Sequence, residues 1–270
     1  MLKDVFHSIA AAAQRLFANW AALLISLLLY AAMIGAIYLF FNIREATALQ
    51  VALSLILPIA AVALFFLIQA MGLSYVRIGV GAGYLLKRSL KDCWRILLVS
   101  LPLILLAWLI VYLFGKVDQS LFGGTLQVQS SGVGRLTVRP EVKGMEWAAV
   151  AVNAARILLL YCVLPLIAIH LWIATVREGV AAAFKGFGRS VARALAPRSL
   201  LIYALICAVF GGIVYFLLFQ QATFKGAWTQ LWAVGIKTAL AFLIGFIGWL
   251  LTLGSITEMT ARRAMNELEA

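Results

Sequence analysis

Six stretches of this chain run twenty residues or more without a charged side chain: 16–43, 46–76, 96–115, 157–176, 199–224 and 238–257. Within each, apolar residues follow one another without the period-two alternation of a membrane β-strand. About 20 predominantly apolar residues suffice for a helix to cross a bilayer. The pattern therefore predicts an all-α membrane protein of six transmembrane helices.

Composition agrees. The chain has 270 residues, 65% hydrophobic and 12% charged, with a mean hydropathy of +1.04. A soluble domain holds roughly 45–50% apolar residues, so a water-soluble fold is excluded. About fifteen residues of amphipathic sequence precede the first run, which is far longer than the ~7–15-residue core of a signal peptide. The expectation is that it stays in the mature protein. Cys93, Cys162 and Cys207 show no CxxC spacing, so neither a disulfide framework nor a zinc site is indicated.

Orientation follows Lys and Arg in short loops. One side collects Lys3 and Arg15; Arg77, Lys87, Arg88, Lys91 and Arg95; Arg177, Lys185, Arg189, Arg193 and Arg198; and Arg262 with Arg263. The short loops of the other side offer Arg44 and Lys225. Both termini are expected in the cytoplasm. The loop 116–145 departs from the rule, with Lys116, Arg135, Arg139 and Lys143 outside.

Aligned on their bases, three cytoplasmic segments coincide: His7, Ala11, Arg15; Lys87, Lys91, Arg95; Lys185, Arg189, Arg193. Phe6, Leu86 and Phe184 stand one residue before each set, and Phe17, Leu97 and Leu195 two residues after it. Two exits also match, "VRIGV" at 76–80 and "VREGV" at 176–180. We read three copies of one unit, an amphipathic helix followed by a helical hairpin, over residues 1–78, 79–178 and 179–270. The offset grows from 80 to 98 because the middle copy carries the long outer loop.

Bases at i, i+4 and i+8 drift only about 40° per step, while Leu86, Leu90, Cys93, Trp94 and Leu97 are expected on the other face. Such a helix lies in the headgroup layer, apolar side down. Anionic lipid attracts it by up to about 1 kcal/mol per base, less where salt screens and where Asp92 sits among the bases. Lys87, Arg88, Lys91, Arg95, Lys185, Arg189 and Arg193 are the candidate lipid-binding residues. The alternative is that they only fix topology.

In the long loop, "TLQVQ" at 125–129 and "RLTVR" at 135–139 alternate around "SSGVG". They predict a β-hairpin bounded by Thr125 and Arg139, with Leu126, Val128, Leu136 and Val138 on one face. Two strands alone are marginal, so that face is expected to meet the rest of the protein, the membrane, a second copy or a partner protein.

Polar groups within spans are the place to look for transport. Gln69 and His170 lie eight and seven residues before Arg77 and Arg177, and Arg156 and Lys237 lie near the outer ends of their spans. These four are the candidate lining of a cavity, set against the plainer reading of packing and snorkelling. The one acid near a span is Glu258, at its inner end, which argues against a proton relay. Pro58, Pro102 and Pro165 predict bends whose freed carbonyls neighbouring helices must satisfy. Ala204, Ala208, Gly211, Gly212, Gly245 and Gly248 suit close helix contact. Gly79, Gly81 and Gly83 follow a span rather than a strand, so they read as a joint and not a nucleotide loop.

No HExxH, GxSxG or P-loop is present, and no pair of acids, or acid with cysteine, is brought together by the hairpins. Neither enzyme activity nor a cofactor is expected. Basic stripes backed by membrane spans suit lipid better than nucleic acid. The segment "VREGVAAAFKGFGRSVARALAPRSLLIYALI", a basic amphipathic helix running into a span, resembles the bacterial YciC-type membrane proteins and the membrane domain attached to some glycerophosphodiester phosphodiesterases. The resemblance covers the last third of the chain and otherwise rests on architecture. It implies a six-helix inner-membrane domain without a catalytic motif, and no site residue carries over. The function expected is a membrane scaffold or accessory subunit; the alternative is a permease or lipid-handling protein with a cavity among three hairpins.

Overall fold

A computed structural model of the chain describes residues 2–43, 47–75, 81–122, 145–220 and 226–269. Regular structure among them is entirely helical. In chain order the helices are α1 (Leu2–Ala18), α2 (Trp20–Asn42), α3 (Ala48–Ser74), α4 (Ala82–Phe122), α5 (Met145–Leu158), α6 (Leu164–Glu178), α7 (Val180–Lys185), α8 (Phe187–Ala194), α9 (Pro197–Ile206), α10 (Gly212–Phe219) and α11 (Ala227–Glu269). A π-helical turn, Leu159–Val163, joins α5 to α6, and another, Cys207–Gly211, joins α9 to α10. Six segments are long and apolar enough to cross a membrane: Trp20–Asn42, Ala48–Ser74, Ala82–Ser120, Trp147–Glu178, Pro197–Phe219 and Trp228–Arg262. The chain is a multi-pass α-helical membrane protein.

Local chemistry sets the breaks. The Asn19 side chain accepts from the Ala22 amide and caps α2, and Thr47 does the same for α3 through Gln50. Gly179, at φ 91°, turns the chain between α6 and α7 in a region that side chains disfavour. Ala196 is extended ahead of Pro197, which opens α9. No such signal separates Leu85 from Ser100. The interfacial helix expected in the second unit is accordingly the first part of α4, one unbroken helix of 41 residues. At its other end α4 stays helical to Phe122, beyond the span end expected at Gly115. The hairpin expected between Thr125 and Arg139 lies outside the described residues.

Pro165 shows what a proline costs within a span. It has no N–H for the carbonyl of Tyr161 four residues back, and the Tyr203 hydroxyl of α9 donates to that carbonyl instead. The π-helical turn at Leu159–Val163 falls at the same place.

The core sits at one end of the bundle. Every residue from Phe66 to Tyr75 is buried, as are residues 166–173 and 250–256. Val5, Ala12 and Leu16 of α1, Leu85, Ile96 and Val99 of α4, and Ile202 and Ile206 of α9 are among the residues that join it. Most of these residues belong to a single cluster, so the ends that carry them share one side of the bundle. Among the described residues, the opposite halves of the spans bury only Ala36 and Ala241. Exposed apolar side chains such as Phe41, Ile59, Leu105 and Trp108 cover those halves, as expected of surfaces that face lipid tails.

Close approach at the packed end uses glycine. A Cβ on Gly254 of α11 would stand 1.8 Å from the Tyr75 hydroxyl and 3.3 Å from the Ala12 methyl, so α1, α3 and α11 meet there without a side chain between them. Gly248 accepts the Phe210 ring in the same way, as its sequence setting predicts. Gly211 and Gly212, expected at a helix contact, have nothing within 4 Å of a Cβ.

Candidate anionic-lipid site

The first turns of α4 present three faces. Leu85, Ser89, Asp92 and Ile96 are buried against the bundle. Lys87 and Lys91 are exposed, and Leu90 and Trp94, 58% and 53% accessible, are exposed beside them. The apolar side expected from the sequence is thus divided: Leu90 and Trp94 stay exposed, while Cys93 and Leu97 are half-buried against the core beside the packed row.

Tyr84, Lys87, Arg88, Lys91, Asp92 and Arg95, with Val176 of α6, line a cleft of about 360 Å³. Asp92 is its organising group. Only 4% of Asp92 is accessible, and its carboxylate lies 3.5 Å from Arg95 Nη1 and 3.7 Å from Arg88 Nε. Both separations suit ion pairing and exceed an ordinary hydrogen bond. A buried carboxylate needs such company, since desolvation of a lone charge costs several kcal/mol. The two arginines are thereby held at the cleft, while Lys87 and Lys91 have no acidic partner among the described residues. Four cations against one carboxylate leave a positive site.

A second cavity, about 150 Å³, adjoins it across Val176 and is lined by Arg15, Leu73, Ile173, Arg177, Thr257, Glu258 and Ala261. Here too a buried carboxylate stands between two arginines. Glu258 accepts from Arg15 Nη1 and, at 3.0 Å, from Arg262 Nε. Arg177 Nη2 donates to the Thr257 carbonyl at 3.3 Å. Sequence patterning marks Glu258 as the acid at a span end, but it does not reveal Arg15 of α1 as the partner.

On α7 and α8, Ala183, Ser190 and Ala194 are buried and the two helices pack on α6. Lys185 and Arg189 are exposed, Arg193 is half-buried, and Phe184, Phe187 and Leu195 are exposed around them. Gly186 interrupts the helix between Lys185 and Arg189. Under the offsets 80 and 98, three buried positions coincide in all three segments, Val5, Leu85, Ala183; Ala12, Asp92, Ser190; and Leu16, Ile96, Ala194, while buried Ser8 and Ser89 have no buried counterparts.

The four candidate cavity residues do not line one space. Gln69 is buried at the packed end, where its Oε1 accepts from Trp249 Nε1 at 2.7 Å. His170 Nε2 lies 3.1 Å from Ser199 Oγ, which donates to the Arg193 carbonyl at 2.9 Å. Arg156 and Lys237 lie in the opposite halves, where Arg156 meets Asp118 at 3.4 Å and Asn153 at 2.8 Å, and Lys237 donates to the Gln220 carbonyl at 2.9 Å. A further buried bond, Trp172 Nε1 to Ser100 Oγ at 2.8 Å, ties α6 to α4. Among the described residues, no three His, Cys, Asp or Glu side chains gather as metal ligands. Comparison with protein-family models, with curated proteins and with solved structures finds no match.

Proposed function

We propose that the chain is a membrane-embedded scaffold or accessory subunit whose basic end, on the cytoplasmic side of a bacterial inner membrane, grips anionic lipid. The carrying observation is the three-faced design of α1, the start of α4, and α7 with α8. In each, one row packs on the bundle, an apolar row stays exposed, and bases lie alongside. Phe6, Leu90, Trp94, Phe184 and Phe187 lose contact with water on entering the acyl boundary, and the lysines and arginines beside them meet lipid phosphates. The shared burial pattern under the two offsets supports descent of the three units from one repeat. The YciC-type resemblance enters at the level of architecture. The segment between Thr125 and Arg139 is the docking element of this reading, for a protein partner or a second copy.

The permease alternative draws less support, because Gln69 and His170 bind within the packed end while Arg156 and Lys237 bind within separate hairpins at the other. The proposal is tested by native mass spectrometry of the full chain released in mild detergent. Anionic phospholipid is expected to remain bound, and a variant carrying Lys87→Gln, Lys91→Gln, Lys185→Gln and Arg189→Gln is expected to retain several-fold less. Equal retention by both proteins would refute the reading.

A further inference from the structure

We infer that the α4 cleft selects a phosphodiester headgroup bearing free hydroxyls, the phosphoglycerol headgroup of a membrane lipid. This deepens the proposed lipid-binding role and rests on it.

The first observation is Asp92. Asp92 lines the cleft, and its buried Oδ2 accepts no hydrogen bond among the described residues, Arg88 Nε standing 3.7 Å away in an ion pair. A carboxylate oxygen left in that state calls for a donor. The second is the ring of cations, Lys87, Arg88, Lys91 and Arg95, around the same cleft, which calls for a phosphate. One ligand that satisfies both carries an anionic phosphate and a hydrogen-bond donor a few atoms apart.

Charge narrows the donor. An ethanolamine headgroup brings N–H groups but adds a positive charge among four bases. A serine headgroup brings a carboxylate toward Asp92, and an ionised phosphomonoester brings no donor. The hydroxyls of a phosphoglycerol satisfy Asp92 with no added charge.

The third observation says that the headgroup belongs to a lipid. Lys87 and Lys91 begin a stripe along α4 that continues through Trp94, Leu98, Leu101 and Leu105, spaced alternately four and three residues apart on one face. All four apolar members are exposed, from 40% at Leu98 to 68% at Leu105. From Trp94 to Leu105 the helix rises about 16 Å, roughly half of the ~30 Å hydrocarbon thickness. A charged head followed by an apolar track one leaflet long matches an amphiphile and not a water-soluble phosphate.

The experiment titrates the purified, delipidated full chain with phosphatidylglycerol, phosphatidic acid, phosphatidylserine and phosphatidylethanolamine of matched acyl chains, and with soluble glycerol phosphate, reading bound ligand by native mass spectrometry. Phosphatidylglycerol is expected to bind at least about tenfold more tightly than the other three lipids, the worth of one hydrogen bond to a charged group. Lys87→Gln with Lys91→Gln, both exposed, is expected to weaken it about tenfold or more. Asp92→Asn is expected to reduce the preference for phosphatidylglycerol over phosphatidic acid, and the ratio measured on the unaltered chain decides the matter should that variant fold poorly. Equal binding of all anionic lipids would overturn the headgroup inference and leave the broader lipid reading intact. Binding of none would overturn both. Soluble glycerol phosphate binding as tightly as the lipid would overturn the lipid as source.

Discussion

Arg15 of α1 is ion-paired with Glu258 of α11, 243 residues away along the chain. The glutamate side chain is 7% accessible and the arginine 29%, so the pair is sealed on the acidic side and open to solvent on the basic one. Removing Arg15 leaves a buried carboxylate with Arg262 as its remaining ion-pair partner. Arg15→Ala is expected to destabilise the fold by about 2 kcal/mol, below the full cost of orphaning a buried charge because Arg262 stays. Denaturant unfolding in micelles measures it, and a double-mutant cycle with Glu258→Gln should return a coupling of the same sign.

At Gly254 a methyl group collides with the Tyr75 hydroxyl, which is fixed by donation to the Leu250 carbonyl at 3.0 Å. Gly254→Ala is expected to cost about 1–3 kcal/mol through overpacking. Adding Tyr75→Phe should restore part of the loss, since the nearest clash then relaxes from 1.8 Å to 2.6 Å. Gly211→Ala and Gly212→Ala, in open surroundings, should be neutral or slightly stabilising in the same assay.

The bond between Gln69 and Trp249 gives an asymmetric prediction. Trp249→Phe leaves the Gln69 carbonyl oxygen, 2% accessible as a residue, without its donor and is expected to cost about 1–3 kcal/mol. Gln69→Leu combined with Trp249→Phe removes both polar groups and should be closer to the parent protein than the Trp249 variant alone. A transport-lining glutamine would instead show a loss of function in both.

Topology offers a direct check. In a chain with Cys93, Cys162 and Cys207 replaced by Ser, single cysteines at Lys87, Lys185 and Lys3 should be shielded from a membrane-impermeant thiol reagent in intact cells and react after permeabilisation. A cysteine at Ser130 should react in intact cells. The reverse pattern would place the basic end outside.

The six spans are legible in the sequence because crossing hydrocarbon demands length and apolarity, and nothing else in the chain supplies both. Asn19, Thr47 and Pro197 announce their helix boundaries for similarly local reasons. The packed face of α4 is not legible. In a membrane the inward and outward surfaces are both apolar, so Leu85 and Leu90 look alike although one is buried and the other exposed. Asp92 and Glu258 break that degeneracy, because a carboxylate at such a position must find cations. The identity of those cations is readable for Asp92, whose Arg88 and Arg95 lie four and three residues away. It is unreadable for Glu258, whose partner Arg15 comes from the far end of the chain.

That distance has a consequence in time. α1 packs chiefly on α11, and at about 5–20 residues per second of synthesis the ribosome needs roughly 12–50 s to make the intervening chain. Throughout that interval Val5, Ala12 and Leu16 lack α11, the chief surface they cover. α1 is therefore among the last helices to reach its full packing, and any chain truncated before Gly254 leaves α1 without its main partner.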